Sequence, residues 1–151
     1  MNQLKSVNFS ATFLAIVIIA AVNINKIEAR MTMAQIQNAM KPAGKTCAGK
    51  TGVSKEILAQ TREGVFPEDR DLMCYHACLL KMMKMMTKDN KIAIDTMMKQ
   101  IDLMMPEDLI QRTKDVSQKC FDDLTTDEAC EMSWQFVKCY SDTDRSLYFF
   151  P

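Results

Sequence analysis

An all-α domain, a compact bundle of about six helices, is what this chain predicts, and three observations carry that expectation. Met, Lys and Ala, at 14, 14 and 13 residues, are each commoner than Ile, Thr or Val, at 11, 11 and 7, and Gly and Pro number only four each, which favours helix over strand. Apolar residues recur at the three-and-four spacing of one helical face in Leu72, Tyr75, Leu79, Met82 and Met86, and again in Ile94, Met97, Ile101 and Met104. Six cysteines follow a hydrophobic leader, an arrangement that points to a disulfide framework formed in an oxidising compartment.

The leader is the first element. Lys5 supplies a small positive charge, Ala11 to Val22 is an uncharged run that is apolar but for Thr12, and Ile27-Glu28-Ala29 places a small residue before a cut. Residues 1–29 therefore read as a signal peptide cleaved after Ala29, leaving 30–151 as one secreted domain. The alternative, an uncleaved anchor, needs roughly 20 apolar residues to span a bilayer, and the polar Asn8, Ser10, Asn23 and Asn25 flank a shorter run. The sequon Asn8-Phe9-Ser10 lies inside the leader and is expected to carry no glycan in the mature chain.

Six helical segments follow. The first runs from about Thr32 to Ala48 with a break expected at Pro42-Ala43-Gly44, and the second is capped by Ser54 and closed by Gly64, with Pro67 preventing continuation. The third spans Asp69 to about Met86 and the fourth Lys91 to Met105. The fifth, after Pro106, spans Glu107 to Cys120, and the sixth Thr126 to Ser141. Met73, Leu80, Met83, Met98 and Met105 widen the apolar stripes of the third and fourth segments, so both are covered on more than one side.

Charge narrows the partners. Without residues 1–29 the chain holds 17 basic and 18 acidic side chains, and the two signs alternate with no block of five like charges. A surface that tracks phosphates needs a basic excess, so nucleic acid is excluded as a partner. No stable membrane insertion is expected once the leader is gone.

The cysteines constrain one another. Cys74 and Cys78 lie one turn apart on the same helical face, so each reaches another segment more easily than its neighbour. Cys130 and Cys139 point to opposite sides of the sixth segment and should bond to different partners. These exclusions leave about ten of the 15 pairings open, and spacing goes no further.

The full order, C-x26-C-x3-C-x41-C-x9-C-x8-C from Cys47 to Cys139, resembles the six-cysteine insect odorant-binding proteins of the PBP/GOBP family, in which the x3 and final x8 gaps are nearly fixed. The resemblance implies a helical carrier enclosing a hydrophobic cavity, with interlocked disulfides joining Cys47 to Cys78, Cys74 to Cys130 and Cys120 to Cys139. That pairing satisfies both exclusions above. The ligand it implies is a small hydrophobic volatile or semiochemical, with an olfactory receptor as downstream partner, in sensillum lymph or a similar fluid. The protein is expected to be a monomer or weak homodimer.

Helical phase and the resemblance together nominate a cavity wall of Met82, Met86, Ile94, Met97, Ile101, Leu109, Val116, Phe136, Val137 and Tyr140. Met82, Met83, Met85, Met86, Met97, Met98, Met104 and Met105 form a dense set of flexible thioethers suited to variable apolar shapes. The tail, residues 141–151, ends in the apolar cluster Leu147-Tyr148-Phe149-Phe150-Pro151 and is expected to fold back over the cavity, with Phe149 in its wall and Tyr148 offering a hydroxyl to the ligand. His76, the one histidine, is the candidate pH switch, poised to change charge near neutral pH.

Catalysis is not expected. The cysteines are committed to bridges, the histidine has no evident carboxylate and serine partners, and no Gly-rich phosphate loop is present. Cys-x3-Cys lacks the second ligand pair of a zinc site, and helical spacing accounts for the methionines without copper, so neither metal nor cofactor is expected. Two other functions fit the same sequence: a non-sensory carrier of lipids or hormones, and a structural or defensive disulfide protein acting through its surface without a ligand.

Overall fold

The computed structural model describes residues 30–151; the expected leader, its sequon and its cleavage site lie outside the described residues. Within them the chain forms six α-helices, with two short 3-10 turns and one isolated β-bridge.

Helix α1 (Met33–Thr51) opens with a reciprocal cap: the Thr32 hydroxyl accepts the Gln35 amide, and the Gln35 side chain accepts the Thr32 amide at 2.8 Å. The break expected at Pro42 does not occur, and the helix continues through it. An interior proline costs about 3 kcal/mol. Here Ile36, Gly44 and Cys47 form one buried stripe on both sides of it, so packing against the bundle holds the helix together. Gly52, at φ 81°, ends α1 by donating to the Ala48 carbonyl.

Helix α2 (Lys55–Arg62) is capped by Ser54 and ends at Gly64, φ 93°, with the amides of Gly64 and Val65 returned to the carbonyls of Thr61 and Gln60. Helix α3 (Arg70–Met82) starts on Asp69, whose carboxylate accepts the Leu72 amide at 2.8 Å. It stops four residues before the expected Met86. Lys84 turns left-handed at φ 57°, and the amides of Lys84 and Met85 bond back to the carbonyls of Lys81 and Leu80. That is the same termination as in α2, with lysine where glycine is usual, and periodicity alone does not reveal it. The chain then crosses to Ile94 through a bridge between Met86 and Ile92.

Helix α4 (Ile94–Met104) begins three residues later than expected, and Pro106 separates it from a 3-10 turn (Glu107–Leu109) leading into α5 (Ile110–Asp122). Helix α6 (Ala129–Thr143) starts on Glu128, which caps the Glu131 amide at 2.9 Å while pairing with Arg70 at 2.8 Å. A second 3-10 turn (Arg145–Leu147) directs the tail back over the bundle.

Helix α3 is the axis, with Leu72, Tyr75, His76, Ala77, Leu79 and Leu80 all buried. Helix α6 packs along it most extensively and α1 covers another side. Three disulfides fix this core: Cys47–Cys78 joins α1 to α3, Cys74–Cys130 joins α3 to α6, and Cys120–Cys139 joins α5 to α6. This is the pairing that the resemblance implies. Neighbouring Cys74 and Cys78 leave α3 for two different helices, and Cys130 and Cys139 take different partners, as helical geometry requires. Among the described residues no helix is long and apolar enough to cross a membrane.

Candidate functional site

Helices α1, α4, α5 and α6, the α3–α4 connection and the tail surround a cavity of about 230 Å³. Met97 and Ile101 project into it from α4, Phe136 and Tyr140 from α6, and Thr113 and Ser117, one turn apart, from α5. Each pair follows the spacing that keeps two side chains on one helical face. Ile36 and Met40 do the same from α1, and Met83 and Met85 enter from the connection after α3. Leu103 and Met104, which also border the cavity, are 73% and 42% exposed and mark its rim.

The tail forms the remaining wall. Phe149 and Phe150 stack with ring centroids 4.6 Å apart, and both meet the Tyr140 ring edge-on. Aromatic pairs in these geometries contribute about 0.5–1.5 kcal/mol beyond area burial. The end of the chain is fastened by the Tyr75 hydroxyl, which donates to the Pro151 carbonyl at 2.9 Å, and by the Gln37 amide, which donates to the Tyr148 carbonyl at 3.1 Å. Pro151 seats against Gly44, where a Cβ would lie 2.5 Å from its Cγ, so only glycine leaves room for it. Arg145 clamps the start of the tail, donating to the Thr61 carbonyl at 2.9 Å and to the Arg62 carbonyl while lying over the Tyr148 ring at 4.5 Å.

Of the residues nominated from sequence, Met97, Ile101, Phe136, Tyr140 and Phe149 line the cavity. Seven do not. Met82 and Met86 lose their place because α3 ends between them: Met82 is 46% exposed and the Met86 sulfur lies 3.8 Å from the Ser133 hydroxyl. Met83 and Met85 take the inward positions instead. Ile94 and Leu109 sit half-buried at the starts of α4 and α5, while Val116 and Val137 belong to the packed core beside the wall. Tyr148 turns away from the expected ligand contact and borders a separate polar recess with Arg62 and Arg145. Read as a set, the methionine cluster is the better guide, since Met83, Met85, Met97, Met104 and Met105 all border the cavity. Ile36, Met40, Gln100, Leu103, Thr113, Ser117 and Phe150 complete the wall, and of these only Phe150, as part of the tail cluster, is placed at the cavity by the sequence.

His76 also departs from expectation. It is fully buried, neither ring nitrogen has a hydrogen-bond partner among the described residues, and it packs among Phe66, Tyr75 and Phe150. Burial without a compensating charge pushes its pKa down to about 3, so the ring does not change charge near neutral pH in the folded protein. The phenol of Tyr140 is shifted upward by the same desolvation, an effect the neighbouring Thr113 hydroxyl partly opposes. Among the described residues no group of three or more His, Cys, Asp or Glu side chains is arranged to hold a metal ion.

A helical shell stapled in this pattern around an apolar hollow has close counterparts. The model of the PBP/GOBP family matches residues 29–143. The chain belongs to the PBP/GOBP family. It is 31% identical over 77 residues, 51% of its length, to general odorant-binding protein 72 of Anopheles gambiae, and that stretch spans only 63% of the relative. Among solved structures it resembles Apis mellifera odorant binding protein 5 at 27% identity with a TM-score of 0.72, over 81% of this chain and 99% of that one. Odorant binding protein 4 of Chrysopa pallens superposes similarly, with a TM-score of 0.71 at 30% identity, over 80% of this chain and 99% of the other. Membership supports a small-ligand carrier role.

Proposed function

We propose that the protein is an extracellular carrier that takes up small hydrophobic odorant or pheromone molecules and conveys them through aqueous fluid to olfactory receptors. The observation that carries this reading is the apolar cavity of about 230 Å³, walled by methionine and aromatic side chains and backed by a fastened tail. Taking water's share of liquid volume, roughly 30 Å³, as the guide, this space holds about eight non-hydrogen atoms. At roughly 0.8–1 kcal/mol per atom, within the range small ligands achieve, such a guest would bind with micromolar affinity. Methionines around the cavity can repack for somewhat larger guests.

Displacement of a fluorescent apolar probe from the disulfide-intact chain by a panel of alcohols, aldehydes, esters and terpenoids tests the reading. Saturable, one-to-one displacement in the micromolar range is the expected result. A protein acting only through its surface would take up no probe, and that result would refute the proposal.

A further inference from the structure

Several helical hydroxyls among the described residues share one habit. Thr46, Thr51, Thr61, Ser117 and Ser133 each donate to a backbone carbonyl three or four residues back. Thr113, although only 2% exposed, departs from it: its hydroxyl oxygen has no hydrogen-bond partner among the described residues. Tyr140, also 2% exposed, has an equally unpartnered hydroxyl. Both residues line the cavity, one from α5 and one from α6. Their hydroxyls are neighbours, near enough for Thr113 to lower the Tyr140 pKa as a hydrogen-bonding hydroxyl does, yet neither forms a hydrogen bond of normal distance and angle, so both remain free to turn to a guest. Buried hydroxyls left unpaired are costly and rare in folded proteins.

The other polar side chains of the wall are already used. Gln100 donates to the Met83 carbonyl at 3.0 Å, and Ser117 to the Thr113 carbonyl at 2.8 Å. Among the described residues no charged side chain borders the cavity. A carboxylate guest would therefore lose its water with no counter-ion to replace it, whereas a pure hydrocarbon would leave both hydroxyls unsatisfied.

We propose that Tyr140 and Thr113 form the hydrogen-bonding end of the site and select neutral, oxygenated guests: an alcohol, or the carbonyl oxygen of an aldehyde, ketone or ester. An alcohol can accept from one hydroxyl and donate to the other, and a carbonyl oxygen can accept from both. This inference rests on the carrier reading and specifies the chemistry of its ligand.

The test compares heptan-1-ol, octane and heptanoate as competitors of a fluorescent apolar probe at pH 7, with the disulfide-intact protein and separate Tyr140→Phe and Thr113→Val variants. The wild type should bind heptan-1-ol and reject heptanoate. Tyr140→Phe should weaken heptan-1-ol about five- to tenfold, the equivalent of one hydrogen bond, and leave octane within about twofold. Thr113→Val should act in the same direction. Both unliganded variants should melt no earlier than wild type, because each removes an unpaired buried hydroxyl and little volume. Because the substitutions are made separately, one that fails to fold leaves the other to decide.

Heptan-1-ol affinity unchanged in both variants would overturn the proposal, as would equal weakening of alcohol and hydrocarbon or efficient competition by heptanoate. In each of those cases the carrier reading stands. No displacement by any competitor, or no uptake of probe by the wild type, would remove the carrier reading and this inference with it.

Discussion

Replacing Cys74 and Cys130 together by alanine should cost about 4 kcal/mol, the largest loss expected from removing any one of the bridges. This bridge spans 56 residues of sequence, against 31 for Cys47–Cys78 and 19 for Cys120–Cys139, and so removes the most chain entropy from the unfolded state. It also fastens the helix pair at the centre of the bundle, α3 and α6, with Cα atoms 4.4 Å apart. A domain of this size is stable by roughly 5–15 kcal/mol, so the variant should keep only about 1–11 kcal/mol. Phe136 and Tyr140 reach the cavity from α6, so probe binding should weaken alongside stability. Urea unfolding without reductant measures the first effect. A Cys120→Ala/Cys139→Ala variant is the comparison, expected to lose about 3 kcal/mol from its shorter loop. A Cys74–Cys130 variant that loses under 1 kcal/mol and still binds probe normally would show that packing alone sets the geometry.

Acid should destabilise the protein well above the range in which carboxylates titrate, because of His76. In the unfolded chain the imidazole titrates near 6.5, whereas in the fold its pKa lies at about 3. Between these values the unfolded state binds the extra proton, so stability is fully present above pH 6.5 and falls as pH drops toward 3. The slope is about 1.4 kcal/mol per pH unit, so roughly 2 kcal/mol is lost between pH 7 and pH 5. Glu128 and Asp144, whose carboxyl pKa values are lowered, contribute stability that disappears only at more acid pH, outside this interval. For Glu128 the Arg70 guanidinium is the main cause. His76→Leu should flatten the profile between pH 7 and 5 and raise stability at pH 5. Identical slopes in the two proteins, measured by urea unfolding, would refute this assignment. Water reaches the ring only if the aromatic layer of Phe66, Tyr75 and Phe150 parts, and Phe150 also lines the cavity, so acid loosening and the ligand site share a wall.

What could be read from the sequence follows from which signals are local. The x3 and x8 cysteine gaps and the stripes of α3 and α4 are local patterns, and they sufficed for the helical class and for Met97 and Ile101 in the wall. The end of α3 was hidden because Lys84 adopts a conformation that composition assigns to glycine, and this shifted the inward methionines from Met82 and Met86 to Met83 and Met85. Pro42 misled in the opposite sense, since the buried stripe spanning it outweighs its helix-breaking tendency. His76 reads as a surface residue until α6 and the tail are folded onto α3. Thr113 and Tyr140 meet across two helices, a proximity that no single-segment pattern contains.

A carrier must take its guest into the methionine-lined cavity, and methyl resonances of methionine report on that occupancy directly. Titrating heptan-1-ol into 13C-methyl-methionine-labelled protein should give saturable shifts at Met40, Met83, Met85, Met97, Met104 and Met105, which border the cavity. Met73, Met82 and Met132, which lie outside its lining, should stay in place. Shifts that never saturate, or that centre on Met82 instead of Met97, would contradict the account.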